Sequence, residues 1–215
     1  MNIIMTGSTS FVGAATVREL LRRGHTVTAI VRPKSSKLDT ILEGNEEALL
    51  SGRLLVTEND LSEPEKLLEK VTKPQDVFCH FGWGGSGSVS RTDKALQEKN
   101  MEISLETIRT AKALGCKKFL FSGSQAEYGM HQDLITEDAV CEPKSLYGEA
   151  KLAMREKGEK LCDELGLRYI HARIFSAYGP GDHPWTLVES CLDIFLSNKE
   201  MSLGACTQKW NFLYI

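Results

Sequence analysis

The sequence lacks what several large protein classes require. No apolar run approaches the roughly 20 residues that cross a bilayer, so no membrane partner is expected. Lys and Arg number 26 against 29 Asp and Glu, for a formal net charge of -3. Without clustered, uncompensated cations there is no electrostatic footprint for nucleic acid, and none is expected as a partner. The six cysteines, Cys79, Cys116, Cys141, Cys162, Cys191 and Cys206, show no CxxC and no histidine-paired spacing. A zinc site or dithiol redox pair is therefore not indicated, no metal is expected, and reduced, mostly buried thiols are. The chain begins MNIIMTGSTS, with no basic region ahead of a long apolar stretch, so a cytoplasmic location is expected. Internal repeats, low-complexity segments and flexible linkers are also missing. What is present, 215 residues with 41% hydrophobic content, suffices for one well-packed domain.

Short β-branched or aliphatic runs alternate with longer amphipathic ones. Strands are predicted at Asn2 to Met5, Thr26 to Val31, Leu54 to Thr57, Asp76 to Phe81, Lys117 to Ser122 and Arg168 to Ile174. Helices are predicted at Phe11 to Arg23 and at Lys94 to Leu114, where Leu96, Met101, Leu105, Ile108 and Ala111 recur at helical spacing and Gly115 supplies a C-terminal stop. This rhythm implies an α/β fold: a doubly wound parallel sheet with helices on both faces and ligand at the carboxyl ends of its strands. Gly82 to Ser90, GWGGSGSVS, is predicted to be a loop in which glycine lets backbone approach a ligand. Trp210 to Ile215, WNFLYI, is a strand-like run with no capping helix after it.

Three constellations carry chemistry. Thr6 to Gly13, TGSTSFVG, joins a strand to an amphipathic helix. Backbone N–H groups at a helix N-terminus suit a diphosphate, and glycine permits both a tight turn and close approach. Gly7 and Gly13 fit those roles, while Ser10 stands where a middle glycine is usual and is expected to push the diphosphate slightly outward. Tyr147 and Lys151, in SLYGEAK, lie four apart on one helix face. A free tyrosine of pKa about 10 is a poor acid or base at neutral pH, and a nearby ammonium favours its phenolate. Finally, Phe119 to Gly129, FLFSGSQAEYG, runs from a strand into a polar turn where Ser122 or Ser124 could hydrogen-bond a carbonyl or hydroxyl.

Phosphate loop, serine after a middle strand, then tyrosine and lysine: this order resembles the extended short-chain dehydrogenase/reductases, the NAD-dependent epimerase/dehydratase family, over essentially the whole chain. The resemblance implies a Rossmann-like NAD(P)-binding domain over 1–215, with 176–210 beginning the substrate-binding region. It implies that Ser124 rather than Ser122 is the catalytic serine, that Tyr147 is the acid or base, and that Lys151 holds the ribose and lowers the tyrosine pKa. Cofactor contacts are implied for Gly7, Ser10, Phe11, Val12 and Gly13 in the phosphate loop, and for Asp60 and Leu61 in NDL. They are also implied for Phe81 and Gly82 in HFGWGG, for Asn100 as the family's helix asparagine, and for Ser122, Tyr147, Lys151 and Ile174. Trp83, Ser124, Gln125 and Ser176 are expected to face the sugar, the last of these within RIFSAYGPG at Arg173 to Gly181.

Departures from the family pattern refine the expectation. NAD-specific members end the second strand on an acid that grips the ribose, whereas here Val31 takes that place and Arg32 follows, with Lys34 and Lys37 nearby. A guanidinium suits a 2'-phosphate, so NADP is preferred over NAD. Dehydratases of the family follow the catalytic serine or threonine with Asp-Glu; Gln125-Ala126 stands there instead, which disfavours dehydration. Members also run on past the FLYI strand into a smaller C-terminal lobe, so a shortened chain is expected. The function implied is hydride transfer at a carbon of a nucleotide-linked sugar, by 4-keto reduction or epimerisation, in a homodimer formed through the helices containing Asn100 to Leu114 and Tyr147 to Leu161. A non-catalytic NADP sensor on the same fold and an NADPH-dependent reductase of another small ketone are the alternatives. Titration with each reduced cofactor tests the Arg32 reading: NADPH is expected to bind several-fold tighter, and equal or tighter NADH binding would contradict it.

Overall fold

The computed structural model describes residues 1–85, 89–131, 133–207 and 209–215. Part of the glycine loop predicted after the fourth strand, Ser86 to Ser88, lies outside the described residues. The chain divides into two compact units, Met1–Ile174 and Phe175–Ile215.

The first unit contains β1 (Asn2–Thr6), α1 (Phe11–Arg22), β2 (Thr26–Val31), α2 (Asp39–Leu42), α3 (Glu46–Leu50) and β3 (Leu54–Glu58). It continues through α4 (Leu67–Lys70), β4 (Val77–His80), α5 (Lys94–Ala113), β5 (Lys118–Ser124), α6 (Leu146–Leu165) and β6 (Arg168–Ile174). Its six strands form one parallel sheet in the order β3-β2-β1-β4-β5-β6. The order reverses at β1 and β4, the point of an open α/β sheet where a crevice forms beyond the carboxyl ends of the strands.

Side-chain alternation along the strands divides the core into two layers. Ile3, Met5, Val27, Ala29, Val31 and Cys79 pack with Ala14, Val17 and Leu21 of α1. Ile4, Ile30, Phe78, Phe119 and Phe121 pack with Ile108 and Ala111 of α5 and with Met154 and Cys162 of α6. The sheet is therefore covered on both faces, as a parallel sheet requires. Full burial of a phenylalanine contributes roughly 1.5–3 kcal/mol, and Phe78, Phe119 and Phe121, all without exposure, anchor the α5 and α6 layer. Burial pushes the thiols of Cys79, Cys116 and Cys162 up to about 12, which keeps them un-ionised and inert.

Several boundaries differ from expectation, most of them by one residue. β5 runs on through Ser124 because Ser122, Gly123 and Ser124 pair with Ala172, Arg173 and Ile174 of β6, so a segment that reads as a turn is held extended. β4 is correspondingly shorter than its apolar run. The second unit holds β7 (Ser176–Tyr178), α7 (Leu187–Leu196) and β8 (Phe212–Tyr214), with β7 and β8 paired in parallel. No helix among the described residues is long and apolar enough to cross a membrane.

Burial of polar groups leaves one pH-sensitive element in the sheet. His80 is fully enclosed, with Nδ1 2.8 Å from the Thr6 hydroxyl and Nε2 3.1 Å from the Ser104 hydroxyl. Burial first, and then the Lys151 charge, push its pKa from 6.5 down to about 3. The unfolded chain thus takes up a proton that the native chain refuses, and stability falls as pH drops below 6.5. Between pH 6.5 and about 4.5, wild-type stability in urea denaturation is expected to fall by about 2 to 3 kcal/mol more than that of His80→Asn.

Candidate active site

Three strand ends and two helix starts build the site. α1 begins at Phe11 because Ser10 caps it, its hydroxyl accepting from the Gly13 N–H at 3.1 Å. The Phe11 and Val12 N–H groups, in the first turn, have no intrahelical acceptor and remain open to an anion. Ahead of them Gly7 has φ +69 and its α-carbon lies against β4: a side chain there would meet the Phe81 carbonyl carbon at 2.7 Å and the Gly82 nitrogen at 2.8 Å. Gly13 packs back onto the same turn, where a Cβ would meet the Gly7 carbonyl oxygen at 2.1 Å. The glycine turn therefore leaves the helix start and the β4 end side by side.

α6 supplies the other half. Ser145 caps it by accepting from the Gly148 N–H, which puts Tyr147 in the first turn and Lys151 one turn later. A Cβ on Gly148 would lie 2.5 Å from the Ala126 carbonyl oxygen, so only glycine lets this turn approach the one-turn helix Gln125–Glu127 at the end of β5. The result is the convergence that the sequence predicts. The Ser124 hydroxyl stands close enough to the Tyr147 phenol to favour its ionised form. The Lys151 ammonium donates to the Ser122 carbonyl at 2.8 Å and lies 5.7 Å from the Tyr147 ring centre.

Electrostatics at this cluster are set by burial. Lys151 is only 2% exposed, and desolvation pushes its ammonium down to about 7, opposed by the Glu127 carboxylate. Burial also raises the Tyr147 phenol; hydrogen bonding by Ser124 and then the Arg91 charge pull it back toward ionisation. Arg91 sits with its guanidinium carbon 4.8 Å from the Tyr147 ring centre. Arg91 is thus a second cation near the phenol, alongside Lys151.

The remaining sequence-predicted positions of the first unit fall at the same end of the sheet or on its rim. Asp60 follows β3, its carboxylate accepting from the Ser62 N–H and hydroxyl at 2.9 and 2.7 Å. Leu61 lies against Gly82, where a Cβ would meet its Cδ1 at 2.7 Å. Asn100 is buried in α5 and clamps the loop after β4, accepting from the Gly84 N–H at 3.1 Å and donating to the Gly84 carbonyl at 2.7 Å. Ile174 ends β6 opposite Ser124, and Gln125 follows Ser124. Arg32, Lys34 and Lys37 are exposed beyond β2. Trp83 packs its ring under the Lys151 ammonium, 3.9 Å from the ring centre, and donates its indole N–H to Gln97 at 2.9 Å. Ser176 belongs to the second unit, where its hydroxyl accepts from the Trp210 indole at 2.6 Å. Sequence reasoning missed Arg91 and Glu127; Arg91 directly follows the glycine loop and Glu127 stands in the turn after β5, and charge at those two places was the available signal.

Residues 3–215 match the model of the NAD dependent epimerase/dehydratase family, and the chain belongs to that family. It is 26% identical over 231 residues to an uncharacterized UDP-glucose epimerase of Bacillus subtilis, covering 100% of this chain and 69% of the relative. It is 29% identical over 178 residues to the D-erythronate dehydrogenase of Cupriavidus necator, covering 81% of this chain and 53% of the relative. Its fold is that of a UDP-glucuronic acid 4-epimerase from Bacillus cereus solved in complex with NAD, with a TM-score of 0.80 at 22% identity over 100% of this chain and 68% of that one. The chain thus spans between about half and 69% of the length of these proteins.

The Asn100 clamp is testable in isolation. Asn100→Ala leaves the Gly84 N–H and carbonyl without their partner, and is expected to cost about 2 to 3 kcal/mol in chemical denaturation. Arg32→Ala, on the open rim, is expected to change stability by less than about 0.5 kcal/mol.

Proposed function

We propose that this chain is an NAD(P)-dependent enzyme that transfers hydride at a carbon of a nucleotide-linked sugar, by 4-keto reduction or by epimerisation. The observation that carries the reading is the convergence of Ser124, Tyr147 and Lys151 beside an open helix N-terminus. The glycine turn fits a dinucleotide: Phe11 and Val12 would offer N–H donors to its diphosphate, and Gly7 keeps the approach free of a side chain. Asp60, Leu61 and Asn100 border the path such a molecule would take. The nicotinamide, when bound, supplies the hydride chemistry. Tyr147 then exchanges a proton with the sugar oxygen while Ser124 orients that oxygen. Lys151 would leave the Ser122 carbonyl for the ribose hydroxyls, and its charge would hold down the phenol pKa.

NADP is favoured as cofactor by the exposed Arg32, Lys34 and Lys37 after β2, although the family's name and the Bacillus cereus neighbour carry NAD. Gln125 and Trp83 are proposed to face the sugar, as is Ser176 of the second unit, with 1–215 as the cofactor domain and 176–210 opening the substrate region. A homodimer through α5 and α6 would rest on polar and half-buried positions such as Met101 and Leu105, because neither helix presents an exposed large hydrophobic side chain among the described residues.

The reading is tested by incubating the protein with 4-keto and 4-hydroxy UDP- and dTDP-sugars while following reduced-cofactor absorbance. Net NADPH consumption identifies a reductase, and a new sugar without net cofactor change identifies an epimerase. Tyr147→Phe is expected to lower turnover roughly a hundred- to ten-thousand-fold. Turnover unchanged by that substitution would contradict the reading.

A further inference from the structure

A second buried group stands behind the proton-handling cluster. Glu127 is 0% exposed. Its carboxylate accepts from the Ser124 backbone N–H at 2.7 Å and from Arg173 Nε at 2.8 Å, and His171 Nε2 lies 2.9 Å from both of its oxygens. A Cβ on Gly123 would meet His171 Nε2 at 2.5 Å and Glu127 Oε1 at 2.7 Å, so glycine at this point of β5 is what admits the contact. Two residues back along the strand, the Ser122 carbonyl holds the Lys151 ammonium. Lys151 is otherwise faced by the rings of Trp83, Phe121 and Tyr147, and among the described residues it makes no ion pair with a carboxylate. The last turn of β5 therefore carries a buried cation at Ser122 and a buried anion at Ser124.

We propose that Glu127 is a positioning residue for the cluster: its carboxylate, clamped to β6 by Arg173 and His171, fixes the Ser124 turn and serves as the counter-charge of the Lys151 ammonium across the end of β5. Its use in catalysis rests on the reading of Ser124, Tyr147 and Lys151 given above; its role as counter-charge does not. Burial opposes ionisation of Glu127, but His171, Arg173 and the Ser124 N–H outweigh it and hold the carboxyl below its ordinary range. The titratable groups facing Lys151 and its neighbour Tyr147 are His80 from β4, Arg91 from the turn before α5, and Glu127. His80 is kept neutral near pH 7 by burial, and Arg91 is a cation, which leaves Glu127 as the anion of the set. Its charge favours the ammonium and disfavours the Tyr147 phenolate, so it biases both toward their protonated forms against a background set by burial.

Carbon-13 labelling of lysine at Cε gives a readout that requires no substrate. An exposed lysine titrates at about 10.4, so one titrating near neutrality stands apart, and loss of that signal in Lys151→Arg assigns it. In Glu127→Gln the midpoint is expected to move at least about one pH unit lower, a tenfold loss of proton affinity. In Glu127→Asp, which keeps the charge, it is expected to stay within about half a unit of wild type. An unmoved midpoint in the Gln variant, an equal shift in both variants, or no lysine titrating below about 9 in the wild type would overturn the proposal. If neither variant shows a cooperative thermal melt, Glu127 serves stability alone and the proposal is likewise overturned. Tyr147→Phe measured alongside separates the two claims, since retained turnover there removes the proposed chemistry and leaves the counter-charge intact.

Discussion

An ammonium group with almost no access to water must be solvated by the protein, and in this chain that demand is met at the end of a single strand. Lys151 donates to the Ser122 carbonyl, lies over the Trp83 ring, and draws its counter-charge from a carboxylate that does not touch it. A buried charge costs several kcal/mol in desolvation unless such partners are in place. Much of the surrounding structure can be understood as meeting this condition. β5 stays extended to Ser124, Gly148 brings α6 close to the strand end, and Gly123 leaves room for the carboxylate.

The same arrangement explains how one end of a parallel sheet becomes chemically distinct. Four of the six strands deliver polar groups near their carboxyl ends: Thr6 and His80 from β1 and β4, Ser122 and Ser124 from β5, and His171 and Arg173 from β6. Two apolar layers fix the strands in register, so these groups are held by the core rather than by loops. The glycine turn before α1 leaves helix N–H donors free beside them. On the proposed reading these groups would form a proton-transfer cluster next to an anion site, which is what a dinucleotide-dependent enzyme needs.

How much of this was legible in the sequence follows from the range of the interactions. β2 was readable to the residue because it is an apolar and β-branched run, and β6 because Tyr169, Ile170 and Ile174 frame it after the stop of the preceding helix at Gly166. The glycine turn before α1 and the placing of Tyr147 and Lys151 on one helix were readable because both are local, spanning eight and five residues. The extension of β5 through SGS was not, since small polar residues read as a turn until β6 pairs with them. Glu127 was hidden for a related reason: it stands in a turn, and its partners His171 and Arg173 lie 44 and 46 residues away. The packing of Trp83 beneath Lys151 was equally hidden, being a contact between residues far apart in sequence.

The account predicts one arrangement above all, and a crystal structure of the chain with a nicotinamide dinucleotide would test it most directly. The diphosphate should rest on the Phe11 and Val12 N–H groups, with the Lys151 ammonium moved from the Ser122 carbonyl to the nicotinamide ribose and the Tyr147 phenol beside the ring. A dinucleotide bound elsewhere, or one that leaves Lys151 on Ser122 and Tyr147 away from the nicotinamide, would contradict it.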